Sequence, residues 1–191
     1  MKTKPQIEDY ELIRNTIEGD TTAFRQLVYK YKDVSLSLAY SILKNKAQSE
    51  DVLQDAFIKV FNKLDTFKFK SSFSTWLYRI VVNTAYNELK KQKPKVSIDD
   101  TINEGLLTPA EDEDHLKEKD QKRYINLALE RMRIDEALVL RLFYLCELSI
   151  KEIEAITKFK TSKIKIDLHR GRENLSFQLK QLLGNDIKHL L

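Results

Sequence analysis

AQSEDVLQDAFIKVFNKLDTF (residues 47–67) and FSTWLYRIVVNTAYNELKK (residues 73–91) carry two consecutive helical apolar patterns, and their reading decides the fold. In the second, Phe73, Trp76, Leu77, Ile80, Val81 and Thr84 recur at the spacing of one buried stripe, whereas Arg79, Asn83, Tyr86 and Lys90 fall on another. A stripe of cation, amide, ring and cation suits single-stranded nucleic acid. Rings stack on bases, amides read their edges and cations track phosphates, with stacking contributing about 1–3 kcal/mol per base. An ordinary amphipathic helix with a solvated polar face gives the same spacing. In the first pattern Val52, Leu53, Ala56, Phe57, Val60, Phe61 and Leu64 form a broad apolar band, with Ser49 in the position of its N-cap. The exposed remainder begins with Glu50, Asp51, Gln54 and Asp55. Acids in a first turn gain about 0.3–1 kcal/mol from the helix dipole, which accounts for Glu50 and Asp51 but less readily for residues further along.

Working outward, the chain of 191 residues is 42% hydrophobic with only 4 Gly and 3 Pro, enough apolar mass for one medium core or two small ones. The apolar spacing is helical in nearly every segment and strand-like alternation is essentially absent, so the expected class is all-α. Lys and Arg number 33 against 29 Asp and Glu; a net charge of +4 says little about partners, and its distribution says more. The single cysteine, Cys146, sits in the apolar run 142–146 and excludes an internal disulfide. No apolar run approaches the ~20 residues that span a bilayer, and the polar start lacks a secretory apolar region, so no membrane insertion and a cytoplasmic location are expected. His115, His169 and His189 are isolated from one another and from Cys146, so no metal-ligand spacing is present. There is no Walker loop, nucleophile elbow or dinucleotide-binding turn, and therefore no expected cofactor, small-molecule substrate or catalytic residue.

Upstream, a helix is expected over residues 6–18, closing at Gly19, and a second from Asp20 or Thr21 to Leu43 with Phe24, Leu27, Val28, Tyr31, Val34, Leu38 and Ile42 on its buried seam. Between the two patterns quoted above, DTFKFKSS (residues 65–72) reads as a polar and aromatic loop. From about Gln92 to Asp120 the apolar stripe is lost, Pro94, Gly105 and Pro109 interrupt any helix, and Asp99, Asp100, Glu104 and Glu111 to Asp114 make the stretch an anionic, flexible linker. Beyond it, Tyr124, Leu127, Ala128, Leu129 and Met132 suggest one helix and Ala137 to Leu145 another. Ser149 and Glu152 stand at capping-box spacing ahead of Ile150, Ile153 and Ile156, and Thr161 can cap a last long helix after a short break. That is a helix-turn-helix pattern. On the last helix Ile164, Leu168 and Leu175 face inward and leave a basic exposed side. Its cations suit a helix laid into the major groove, N-terminal residues near base edges. A merely solvated basic face remains an alternative.

The run Asp51 to Phe57, followed by Val60, Leu64, Phe67, Phe73, Thr75, Trp76, Leu77, Ile80 and Asn83, resembles the extracytoplasmic-function (ECF) branch of bacterial RNA polymerase sigma factors. The likeness extends upstream through Gly19, Asp20, Ala23, Phe24, Leu27 and Tyr31. It reappears downstream in Leu148, Ser149, Glu152, Ile153, Thr161, Arg170, Arg172 and Leu175. It implies two small helical domains: residues 1–93, binding core polymerase and melting the −10 region, and residues 121–191, reading the −35 element, joined by a linker over 94–120. By the same resemblance Asp51, Gln54, Asp55 and Phe57 meet core RNA polymerase. Phe67, Lys68, Lys70 and Ser71, with Phe69, wall a pocket for an extruded base. Trp76, Arg79, Asn83, Tyr86 and Lys90 follow the melted −10 strand, and Ser162, Lys163, Lys165, Ile166, His169, Arg170 and Arg172 face the −35 element. Two departures stand out: Lys158, Phe159 and Lys160 replace the usual small residue at the turn, and Lys163–Ile164 replaces a common Thr–Val pair. The partners implied are core RNA polymerase, promoter DNA and an anti-sigma protein, with phosphodiester chemistry left to the polymerase.

Two other readings fit parts of the sequence. A stand-alone helix-turn-helix regulator would carry a sensing or dimerising N-terminal half and bind a symmetric operator. A helical protein-interaction adaptor would use the amphipathic helices alone, and the Arg79/Asn83/Tyr86/Lys90 stripe argues against it.

Overall fold

In the computed structural model, residues 4–92 and 116–183 are described. They form eight α-helices: α1 (Lys4–Ile17), α2 (Thr21–Leu43), α3 (Lys46–Asn62), α4 (Phe73–Gln92), α5 (Leu116–Glu130), α6 (Ile134–Leu140), α7 (Ile150–Thr157) and α8 (Thr161–Leu183). No strand is present among the described residues, as the helical periodicity predicts. No helix among them is long and apolar enough to cross a membrane.

Local chemistry sets most helix ends. Gly19, at φ 106°, adopts the left-handed backbone that lets the chain leave α1, and the Asp20 carboxylate then accepts the amides of Thr22 (2.8 Å) and Ala23 (3.3 Å) to open α2. α3 opens earlier than its apolar band suggests. Asn45 is the N-cap, accepting the Gln48 amide at 3.1 Å, while Ser49 is buried and donates its hydroxyl to the Asn45 carbonyl. An amide cap satisfies the first turn as well as a hydroxyl does, and Lys46 and Ala47 add no apolar signal to reveal the extra turn. α5 begins at Leu116, inside the stretch read as linker; residues 93–115, where the rest of that linker falls, lie outside the described residues. The expected capping box of α7 is formed, Ser149 and Glu152 each satisfying the other's backbone amide.

α2 is the organising element of the first half, with α1, α3 and α4 packed on it. Its seam buries Leu27, Leu38 and Ile42 completely, while Phe24, Val28 and Val34 stay half-buried at the margin. In the second half α5 and α6 pack on α8. Gly171 of α8 admits Leu140 of α6 so closely that a β-carbon there would lie 3.1 Å from the leucine side chain. Between α6 and α7 the chain makes one wide turn over Arg141–Leu145, closed by the Cys146 amide on the Arg141 carbonyl at 3.0 Å. That turn sends Leu142 and Leu148 inward and leaves Tyr144 and Leu145 in solvent.

The two halves are in contact. α7 lies against α4 and α6 against α2, so the core runs from Leu27, Leu38 and Leu77 through to Leu138, Leu142 and Ile153 as one apolar cluster.

α1 is fastened by a buried charge. Asp9, 3% exposed, accepts Lys30 Nζ at 2.6 Å and the Tyr31 hydroxyl at 2.5 Å, and burial together with that bond raises the Tyr31 pKa. Asp9→Ala leaves a buried phenol without its acceptor and should lower stability by about 1–3 kcal/mol, measured as an earlier urea midpoint with unchanged slope.

Candidate nucleic-acid and partner interfaces

Three surfaces carry the residues singled out from the sequence. On α3, Asp51, Gln54 and Asp55 are exposed, one turn apart on one side of the helix. Phe57 points the other way, 8% exposed, with its ring 6.5 Å from that of Phe24. The same strip continues into two large apolar side chains that the periodicity assigned inward or passed over: Phe61, 46% exposed, and Ile58, 53% exposed. The strip is therefore acidic at its start and apolar at its end, a composition that suits a protein partner with cationic and apolar contacts.

On α4, Arg79, Asn83 and Lys90 are exposed, and Asn87, one turn beyond Asn83, joins them although the sequence reading did not select it. Trp76 is half-buried, its ring 5.2 Å from Phe67 and 6.0 Å from Phe73. The loop before α4 is built on an aromatic cluster. Phe67, 5% exposed, is part of the core, and Phe69 sets its ring edge-on to Tyr10 at 4.9 Å. Tyr10 also donates its hydroxyl to the Ser71 carbonyl at 3.2 Å, tying the loop to α1. Lys68, Lys70 and Ser71 are left at the exposed rim.

On α8, Ser162, Lys165, Ile166, His169, Arg170 and Arg172 are exposed. Arg172 donates to the Tyr144 hydroxyl at 3.4 Å, and His169 Nδ1 lies 3.4 Å from the Glu173 carboxylate. The tight turn before α8 puts Lys158 at φ 62°, a left-handed position where this chain dispenses with glycine. Thr161 is the first residue of α8, and its hydroxyl donates to Glu154 of α7.

Two side chains read as exposed are drawn to the joint between the halves. Tyr86 of α4 donates its hydroxyl to Asp135 Oδ1 at 2.9 Å, and burial, followed by the adjacent carboxylate, raises its pKa. Lys163 of α8 lies 2.8 Å from Asp135 Oδ2, pairs also with the buried Asp167, and sits 4.4 Å above the Phe159 ring. The sequence pattern assigned each to a face but could not show the α6 carboxylate standing opposite both. Elsewhere along the joint, Lys44 donates to the carbonyls of Leu129, Glu130 and Met132 at the end of α5. Burial lowers its pKa to about 8, and Glu130 opposes that shift. Arg141, 7% exposed, donates to Ser37 of α2 and to Asn126 of α5, while Thr75 of α4 reaches Glu152 of α7 at 3.3 Å. Among the described residues no group of His, Cys, Asp and Glu is arranged to hold a metal ion.

Comparison with known proteins agrees with this layout. Residues 27–95 match the family model of sigma-70 region 2 and residues 122–175 that of sigma-70 region 4. The ECF RNA polymerase sigma factor SigW of Bacillus subtilis (strain 168) is 33% identical over 179 residues, covering 89% of this chain and 96% of that protein. The ECF RNA polymerase sigma-E factor of Escherichia coli (strain K12) is 32% identical over 187 residues, covering 93% of this chain and 97% of that protein. Among solved structures, CnrH in complex with the cytosolic domain of CnrY superposes with a TM-score of 0.63 at 21% identity, covering 91% of this chain and 98% of that one. The sigma factor RpoE in complex with the anti-sigma factor NepR from Bartonella quintana gives 0.62 at 22% identity, covering 82% of this chain and 96% of that one. These two likenesses establish the fold.

Cys146 lies at the same joint, and burial pushes its thiol up to about 12 against the opposing influence of Arg141. At pH 8 its reaction with a thiol reagent should be at least ~100-fold slower in the native chain than after unfolding in urea, followed by absorbance of the released thiolate.

Proposed function

Because this chain belongs to the ECF sigma factors of the sigma-70 family, we propose that it directs core RNA polymerase to specific promoters and starts transcription there, reading a −35 and a −10 element and opening the duplex. The observation that carries this reading is the order of matches: region 2 then region 4 along one chain, with about a third of residues identical to two ECF sigma factors over most of its length. A stand-alone regulator needs only a helix-turn-helix, so it leaves the region 2 match without a purpose.

In this reading each surface has a separate physical task. The α3 strip of Asp51, Gln54 and Asp55, backed by Phe57 and extended by Ile58 and Phe61, docks on core polymerase. Arg79, Asn83, Tyr86 and Lys90 follow the separated −10 strand, with Asn83 able both to donate to and accept from a base edge. Trp76 and Phe67 support the loop whose rim, Lys68, Lys70 and Ser71, receives an extruded base; extrusion costs a few kcal/mol of unstacking, which a fitted pocket offsets for one preferred base. On α8, Ser162, Lys163, Lys165, Ile166 and His169 face base edges while Arg170 and Arg172 hold phosphates. The polymerase supplies the phosphodiester chemistry, in the cytoplasm. The domains run over 1–93 and 121–191, and an anti-sigma protein covers these surfaces until it is released.

Run-off transcription with purified core polymerase on a randomised promoter library tests the whole reading: enrichment of two spaced elements is expected, and absence of any polymerase-dependent transcript overturns it. Asn83→Ala should leave core binding within about twofold and reduce open-complex formation at least ~10-fold, followed by permanganate footprinting of the −10 strand. Lys165→Ala should weaken −35 binding and, if the amine meets a phosphate, lower the salt slope by about 1; if it meets a base, discrimination at one position relaxes instead.

A further inference from the structure

Ile166 is the one large apolar side chain on the exposed side of the first two turns of α8, with 49% of it in solvent. Its exposed neighbours one turn away are Ser162, His169 and Arg170, each equipped to hydrogen-bond. Ile166 can neither donate nor accept. We propose that Ile166 reads a thymine of the −35 element through the 5-methyl group of the base. This rests on the promoter-reading function proposed above and names what one residue of α8 recognises there.

The placement of the side chain follows from the packing of α8. Ile164, Asp167 and Leu168 are buried, so the inward side of these turns is taken and Ile166 is turned out. The start of the helix is held firmly. The Thr161 hydroxyl donates to Glu154 of α7 at 3.1 Å, Lys163 pairs with Asp167 at 2.5 Å and lies 4.4 Å above the Phe159 ring, and Gly171 seats Leu140. A β-branched side chain on a helix keeps essentially one rotamer, so the Ile166 methyl groups are presented without the ordering cost that a long cationic side chain carries. Nor is Ile166 the edge of an apolar docking face. Phe177, the next large exposed apolar side chain of α8, stands three turns on, about 16 Å along the axis, with the exposed Arg170 and Glu173 between them.

In the major groove each base pair presents hydrogen-bonding atoms, and the thymine methyl is the apolar group among them. An isoleucine set over a guanine or cytosine edge strips water from polar atoms and returns no hydrogen bond. Set over thymine, it buries methyl against methyl. The same side chain therefore favours one base and penalises G·C pairs at that position. Phosphate attraction through Arg170 and Arg172 brings α8 to the groove equally for every sequence, and salt screens it. Apolar discrimination at Ile166 carries no charge and is not screened.

The test uses the full chain assembled with core polymerase, on promoter duplexes carrying the −35 element enriched from the randomised library. Each thymine of that element, on either strand, is replaced in turn by deoxyuridine, which pairs identically and lacks only the 5-methyl group. At one position the replacement should weaken promoter binding about three- to tenfold, by the same factor at low and at high salt. Ile166→Ala should lose a similar factor on the unmodified duplex and bind the two duplexes within about 1.5-fold of each other. Ile166→Val, which keeps the branch at Cβ, should retain part of the discrimination. Each comparison sets two duplexes against one protein, so any loss of folded chain cancels. Indifference of the wild type to every deoxyuridine in the element, an enriched element without thymine, or undiminished deoxyuridine sensitivity in Ile166→Ala overturns the assignment. Failure of the wild type to transcribe with core polymerase would instead overturn the sigma-factor reading itself.

Discussion

Burial of the apolar seam of α2 holds the molecule together. Leu27, Leu38 and Ile42 have no exposure, and each such side chain gains about 1.5–3 kcal/mol from leaving water. α1, α3 and α4 are placed by what they pack against on this helix, and α6 of the other half reaches it too. The directions of the exposed faces follow. Once Val60 and Leu77 are committed inward, Asp51, Gln54 and Asp55 must look outward from α3, and Arg79 and Asn83 from α4. The exposed faces of both helices are thus fixed by apolar packing on their opposite sides.

Polar contacts do a different task. The buried Asp9 group fastens α1, and the capping box at Ser149 and Glu152 starts α7. Between the halves such contacts set relative placement more than they stabilise either half. A half-exposed ion pair contributes about 0–1 kcal/mol, well below one buried leucine. What joins the halves is therefore chiefly the apolar contact of α7 with α4 and of α6 with α2, to which the ion pairs add position.

Much of this was legible in the sequence because helical periodicity reports the direction of a side chain. The inward seams of α2, α7 and α8 follow it, and the Ser149/Glu152 box has a spacing of its own. Periodicity does not report what stands opposite. Tyr86 and Lys163 lie on the polar sides of their helices, yet Asp135 draws both into the joint, and Asp167 is buried beside Lys163. Conversely, Phe61 belongs by composition to the apolar band of α3 but is left in solvent, because its helix turns it past the edge of the core. The extra turn of α3 was hidden because Asn45 caps it through residues that carry no apolar signal. The roles given to individual DNA-facing residues rest on resemblance, since a solvated cation and a phosphate-binding one share a pattern.

The loop ahead of α4 has a further consequence. Phe69 adopts a left-handed backbone at φ 54°, a conformation costing a non-glycine residue roughly 1–2 kcal/mol, and its ring is held edge-on by Tyr10. That cost is met during folding, so any ligand of the rim encounters a wall already in shape. The conformational entropy otherwise lost in ordering an aromatic loop, about 0.5–1.5 kcal/mol per immobilised side chain, is then subtracted from folding instead of from recognition. α1, through the Tyr10 ring and its bond to the Ser71 carbonyl, thereby sets the shape of that rim from behind.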